Sequence, residues 1–144
     1  YKAFLSGDRC HVTDEVLRCT GIGLRNGKVV KWIIEVAALN DMQIVQLSAL
    51  VKNVVLSYFD EADYAKVFVK SSTGFYKTEN GRPNGATVQA VKFMIENASP
   101  LPVKAAGGVR NYEEAVQMIN LGVKRIGTSA AKAIADGEEA QTDY

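Results

Sequence analysis

Two lysines sit in nearly the same local sequence. FVKSSTG at 68–74 and PVKAAGG at 102–108 each place a lysine after valine, then two small residues, then a glycine four positions on. Lys70 and Lys104 are thus 34 residues apart, about one strand-helix unit of a β/α protein. VFV before Lys70 and LPV before Lys104 are apolar strand sequences, so both amines are expected at matching heights on neighbouring strands. A lysine amine is a nucleophile only when unprotonated, and its reference pKa of about 10.4 leaves nearly all of it as ammonium at neutral pH. A second cation close by and apolar surroundings disfavour the charged form and can bring a lysine down to about 7–8. The chemistry that such a pair serves is Schiff-base formation with a carbonyl compound.

The last three strand-like segments end in SSTG, AAGG and GTSA. Glycine lets the backbone approach a ligand, and the amides at the start of a following helix cradle an anion. Any one such segment serves close helix-strand packing equally well. Three in succession point to phosphate, which β/α barrels commonly hold at their last loops.

The elements that would position these residues alternate regularly. A helix is expected over 8–26, with Val12, Val16, Leu17, Cys19 and Leu24 as its apolar stripe and Asn26-Gly27 as its stop. VVKWIIEV at 29–36 reads as a strand covered on both faces, and 41–58 as a helix with Ile44, Leu47, Leu50, Val51 and Val54 inward. A strand over 66–71 leads into the turn-rich loop YKTENGRPNG, and Thr87 is an expected N-cap for a helix to Asn97. Then follow a strand at 101–105, a helix opened by an Asn111–Glu114 capping box and stopped at Gly122, a strand at 123–127 and a helix at 129–135. The order αβαβαβαβα calls for a parallel sheet wrapped by helices in an α/β fold. No GxGxxG follows the first strand, which argues against a dinucleotide fold.

Composition excludes several classes. With 144 residues and 47% apolar content the chain can bury one core, read as a single domain over 1–144. A net charge of +1 with mixed signs gives no footprint for nucleic acid or a membrane surface. Cys10 and Cys19 are read as packed thiols on opposite helix faces in a reducing, cytoplasmic setting. His11 is the only histidine, so His-based metal sites and Ser-His-Asp chemistry are not expected. Glu35, closing its strand, is read as solvated.

VFVKSSTGF, NGATVQAVKFM, PVKAAGGVRNYEEAVQMI and RIGTSA, in this order and spacing, resemble the signatures of the deoxyribose-phosphate aldolases. That family consists of class I, metal-free aldolases on a TIM barrel, and the likeness reaches back to Tyr1. The resemblance implies the C-terminal half of such a barrel, strands five to eight, with no cofactor. It assigns the imine to Lys70, the perturbing cation to Lys104 and a further active-site amine to Lys31. Phosphate would be held at Gly74, Gly107, Gly108 and Ser129. Phe75 and Ala130 depart from the family's lysine and second serine. Residues 136–144 would form a mobile tail whose Tyr144 assists proton transfer, and a proton-relaying aspartate would lie before Tyr1. The implied reaction is reversible cleavage of 2-deoxy-D-ribose 5-phosphate into acetaldehyde and D-glyceraldehyde 3-phosphate, with a phosphorylated sugar and aldehyde as partners and self-association, as a homodimer, of the half-barrel. Another Schiff-base aldolase or transaldolase-like barrel, and a catalytically silent self-associating half-barrel, stay open as alternatives.

Overall fold

The computed structural model of the chain describes residues 1–79 and 81–137. Its elements are α1 (Lys2–Leu5), α2 (Arg9–Arg25), β1 (Val30–Ile33), a 3₁₀ turn (Val36–Ala38), α3 (Asp41–Tyr58), α4 (Glu61–Tyr64), β2 (Val67–Lys70), α5 (Val88–Ala98), β3 (Val103–Ala106), α6 (Tyr112–Leu121), β4 (Arg125–Gly127) and α7 (Ala131–Asp136). The predicted alternation is present, and α1, the 3₁₀ turn and α4 are short additions within it.

Local chemistry starts the long helices where polar residues can take orphan backbone N–H groups. Asp8 accepts from the His11 amide at 2.9 Å, Thr87 from Ala90 at 3.1 Å and Asn111 from Glu114 at 2.9 Å. Asn40 and Gln43 form a reciprocal capping box on α3. The box expected on α6 is half made, because the Glu114 carboxylate accepts from the Arg110 amide at 2.7 Å rather than from Asn111.

All four strands pair in parallel in the order β1-β2-β3-β4, so β1 and β4 are edges. The sheet is a partial α/β barrel, with its helices on one side only. On that side Val67, Val69, Val103 and Ala105 meet Val51, Val55, Val91 and Met94 in a fully or nearly fully buried cluster. Each such valine or methionine contributes about 1.5–3 kcal/mol by leaving water. Trp32 joins β1 to α2 by donating its indole N–H to Thr20 Oγ1 at 2.9 Å.

Two sequence expectations need correction. β1 is not covered on both faces: Lys31 and Ile33 are exposed while Ile34 is buried, because the helices pack on one side of the sheet and leave these two side chains on the other. Cys10 and Cys19 are both free and exposed, not packed, since α2 buries Val12, Val16, Thr20 and Gly21 instead. Among the described residues, no helix is long and apolar enough to cross a membrane.

Candidate active site

Parallel register aligns side chains across strands, and alternation sends every second one to the uncovered face. Ile33 pairs with Lys70, Lys70 with Lys104, and Lys104 with Arg125. One level up, Ala106 pairs with Gly127; two residues before Ile33, Lys31 pairs with Phe68. The two lysines thus stand at equal height on adjacent strands, as the repeated sequence predicts. Arg125 completes their row and lies with its guanidinium 4.6 Å from the centre of the Phe68 ring. None of Lys31, Lys70, Lys104 and Arg125 is in a salt bridge among the described residues.

This concentration of positive charge has one resolved effect. The Lys104 ammonium is held below its ordinary value of 10.5, first by burial and then by Lys70, Lys31 and Arg125. Gly127 makes room for it: a Cβ there would stand 2.8 Å from Lys104 Cε and 3.2 Å from Nζ.

At the C-terminal end of the sheet a cavity of about 340 Å³ brings together Lys70, Lys104, Gly74, Gly107, Gly108 and Ser129. Gly107 and Gly108 adopt φ of +77° and +80°, a region that other residues rarely enter. Their amides and that of Ser129 make no hydrogen bond among the described residues. Gly74 lines the same cavity, but its amide donates to Ser72 Oγ at 2.8 Å. Lys31 shares the uncovered face but does not line this cavity; it borders another beside α1 and β1. Tyr144 lies outside the described residues, as does the predicted tail from 138 onward. Among the described residues no three His, Cys, Asp or Glu side chains gather as a metal-binding group would.

Serine hydroxyls tie the end of β2 to its neighbours. Beyond Lys70, the buried Ser71 Oγ donates to the Ala106 carbonyl at 2.8 Å and accepts from the Ala106 amide at 2.9 Å, where a backbone rung would otherwise stand. Ser72 Oγ lies 2.8 Å from Glu35 Oε1 and 2.7 Å from the Asn84 carbonyl.

Glu35 is therefore not the solvated strand-end acid expected from sequence. It is 4% exposed, and its φ of 57° is positive in a non-glycine residue, a conformation that costs about 1–2 kcal/mol. Oε2 accepts from Thr73 Oγ1 at 2.6 Å, and both carboxylate oxygens face the Thr73 amide at 3.2–3.3 Å.

No family model matches the chain. It is 42% identical over 120 residues to a deoxyribose-phosphate aldolase of Streptococcus sanguinis (strain SK36), covering 83% of this chain and 47% of that one. With a deoxyribose-phosphate aldolase of Streptococcus pneumoniae serotype 19F (strain G54) it shares 38% identity over 143 residues, 99% of this chain and 57% of the relative. This chain is a homologue of the deoxyribose-phosphate aldolases. It spans about half the length of the curated relatives it matches. Solved structures agree: one described as QR15, an aldolase, matches with a TM-score of 0.68 at 31% identity, over 94% of this chain and 53% of that one. A deoxyribose-phosphate aldolase from Aeropyrum pernix, described as a unique tetramer, gives 0.68 at 28% identity over 92% and 50%.

Within this aldolase half-barrel, sequence reasoning missed Arg125, Arg110, Asn84 and Thr128. Arg110, Asn84 and Thr128 line the cavity, and Arg125 ends the cationic row. Alternation along VKRIG would have put Arg125 on the same face as Gly127 once the register of β4 was known. The two departures from the family pattern differ in kind. Phe75 is 83% exposed at the rim, whereas Ala130 is buried and donates its amide to Thr128 Oγ1 at 2.9 Å.

Proposed function

We propose that this chain carries the imine-forming part of a class I aldolase that reversibly cleaves 2-deoxy-D-ribose 5-phosphate into acetaldehyde and D-glyceraldehyde 3-phosphate. One observation carries the reading: Lys70 stands beside Lys104 in a single cavity also lined by Gly107, Gly108 and Ser129, whose amides make no hydrogen bond among the described residues.

In this reading the Lys70 amine adds to the substrate aldehyde, and the adduct takes up a proton and loses water to give a protonated imine. The bond between the second and third carbons breaks, and its electron pair moves toward the imine nitrogen to form an enamine. The third carbon's hydroxyl loses its proton as that carbon becomes the aldehyde of glyceraldehyde 3-phosphate. Protonation of the enamine carbon and hydrolysis release acetaldehyde and restore Lys70. The glycine wall holds the phosphate and so brings the carbonyl to the amine. Lys31 and Lys104 supply positive charge around the site, and the family resemblance assigns proton transfer to Tyr144. Self-association is supported by the open face and edge strands. A reducing, cytoplasmic setting is supported by the free thiols of Cys10 and Cys19.

The test is reduction with borohydride in the presence of acetaldehyde, followed by peptide mapping. The adduct is expected on Lys70, and Lys70→Arg should yield none, because a guanidinium stays charged. No adduct, or one on Lys31, would overturn the assignment. An adduct on Lys104 is the second reading, favoured by the downward shift of its ammonium.

A further inference from the structure

A buried carboxylate with no cationic partner among the described residues, on a residue at positive φ, is an expensive feature that the aldol chemistry itself does not use. Glu35 is such a residue. Every hydrogen bond its carboxylate accepts among the described residues comes from Ser72 and Thr73, the residues that follow Lys70 and Ser71 at the end of β2. Ser72 passes the constraint on. Its hydroxyl reaches the Asn84 carbonyl and accepts from the Gly74 amide, and Asn84 Nδ2 returns to the Gly74 carbonyl at 3.1 Å. The same Ser72 oxygen packs under the glycine wall, where a Cβ on Gly107 would stand 3.4 Å from it and 3.0 Å from Gly85 Cα.

We propose that Glu35 is a positioning residue for the anion-binding wall: through Ser72 it fixes the Gly74 turn and the Asn84–Gly85 segment against which Gly107 and Gly108 rest. This rests on the proposed role of that wall in holding phosphate. Ser72 has one hydroxyl proton for two acceptors, Glu35 and the Asn84 carbonyl. Removing the carboxylate frees that hydroxyl to turn wholly toward Asn84, and strips the Thr73 amide and hydroxyl of their acceptor. The segment under Gly107 then loses its anchor to β1, while Lys70 keeps its place in the ladder, held by bonds from Ile34 to the Lys70 carbonyl and from Ser71 to the Lys104 carbonyl.

The experiment measures inorganic phosphate binding by calorimetry on this chain, alongside the rate of acetaldehyde trapping at Lys70, for Glu35→Gln, Glu35→Ala and Ser72→Ala. About tenfold weaker phosphate binding is expected in each, the scale of lost hydrogen bonds to a charged group, with trapping changed less than about twofold. The Glu35→Ala/Ser72→Ala double variant should bind phosphate about as well as either single one, because both act through one link. Unchanged phosphate affinity in folded variants, equal loss of phosphate binding and trapping, or additive effects would each overturn the proposal. If both Glu35 variants fail to fold, Ser72→Ala decides alone: unchanged affinity refutes the link and weakened affinity upholds it. Should the native chain trap no acetaldehyde at all, the aldolase reading fails, yet the dependence of phosphate binding on Glu35 still stands or falls by itself.

Discussion

Gly85→Ala should damage this protein more than any other small-residue exchange in the loop between β2 and α5. An added Cβ at Gly85 would lie 2.5 Å from the Cα, C and O atoms of Gly107, where ordinary contact begins at 3.4 Å. The two backbones must therefore part by about 0.9 Å, and neither has a rotamer that can yield. The adjoining bond from the Ala86 amide to the Gly107 carbonyl is 2.8 Å, so a separation of that size breaks it. Overpacking costs about 1–3 kcal/mol and a lost hydrogen bond about 1 kcal/mol more, giving roughly 2–4 kcal/mol in all. For a chain of this size that is a fall of about 5–15 °C in Tm. Gly74→Ala is the control: its φ is +85° but nothing lies within 4 Å, so only backbone strain of about 1–2 kcal/mol is expected. Thermal unfolding followed by circular dichroism, with phosphate binding by calorimetry, measures both. A Gly85→Ala protein as stable as the native one, with phosphate affinity intact, would refute the close approach of the two loops.

Gly108→Val, at φ +80°, should weaken binding of phosphorylated aldehydes more than trapping of acetaldehyde; equal loss would mean that the glycine serves packing alone. Arg125→Gln removes one of the cations that depress Lys104, so the amine should titrate at higher pH, read by NMR of the reductively methylated lysine; a shift downward would contradict the charge row. Because folding holds Lys104 below 10.5, the unfolded chain binds more protons in the interval up to that value, and its contribution to stability should rise with pH across it. Thr87→Ala should cost about 1 kcal/mol in chemical denaturation through loss of the α5 cap, and no loss would remove the cap from the account. Self-association through the open sheet face should strengthen with salt, since Lys31, Lys70, Lys104 and Arg125 repel their copies; sedimentation showing weaker association at high salt would place the contact elsewhere.

What the sequence made legible was whatever depends on residue type and spacing. The 34-residue interval between Lys70 and Lys104 survives as exact register, because a strand-helix unit returns the chain to the same height on the next strand. Caps at Thr87 and Asn111 were readable because they depend on neighbours three positions away. Glu35 was not readable, since its burial depends on Ser72 and Thr73, 37 and 38 residues downstream. Nor was the need for glycine at 85, which lies in its approach to Gly107 and not in its own turn. Cys10 and Cys19 misled for a different reason: α2 presents a narrow stripe to the core, and the small residues Thr20 and Gly21 occupy the buried positions that an apolarity count gives to larger neighbours.

The doubled bond between Ser71 and Ala106 has a consequence for the seam between β2 and β3. Backbone rungs hold neighbouring strands about 4.8 Å apart and leave no freedom to adjust. Past Lys70 and Lys104 the chain continues the ladder through a hydroxyl, so the spacing there is set by a side chain that can be exchanged without redrawing the sheet. The end of the β2–β3 seam is thereby separable from the ladder that carries the two amines. A single buried oxygen joins the two strands where the backbone ladder ends.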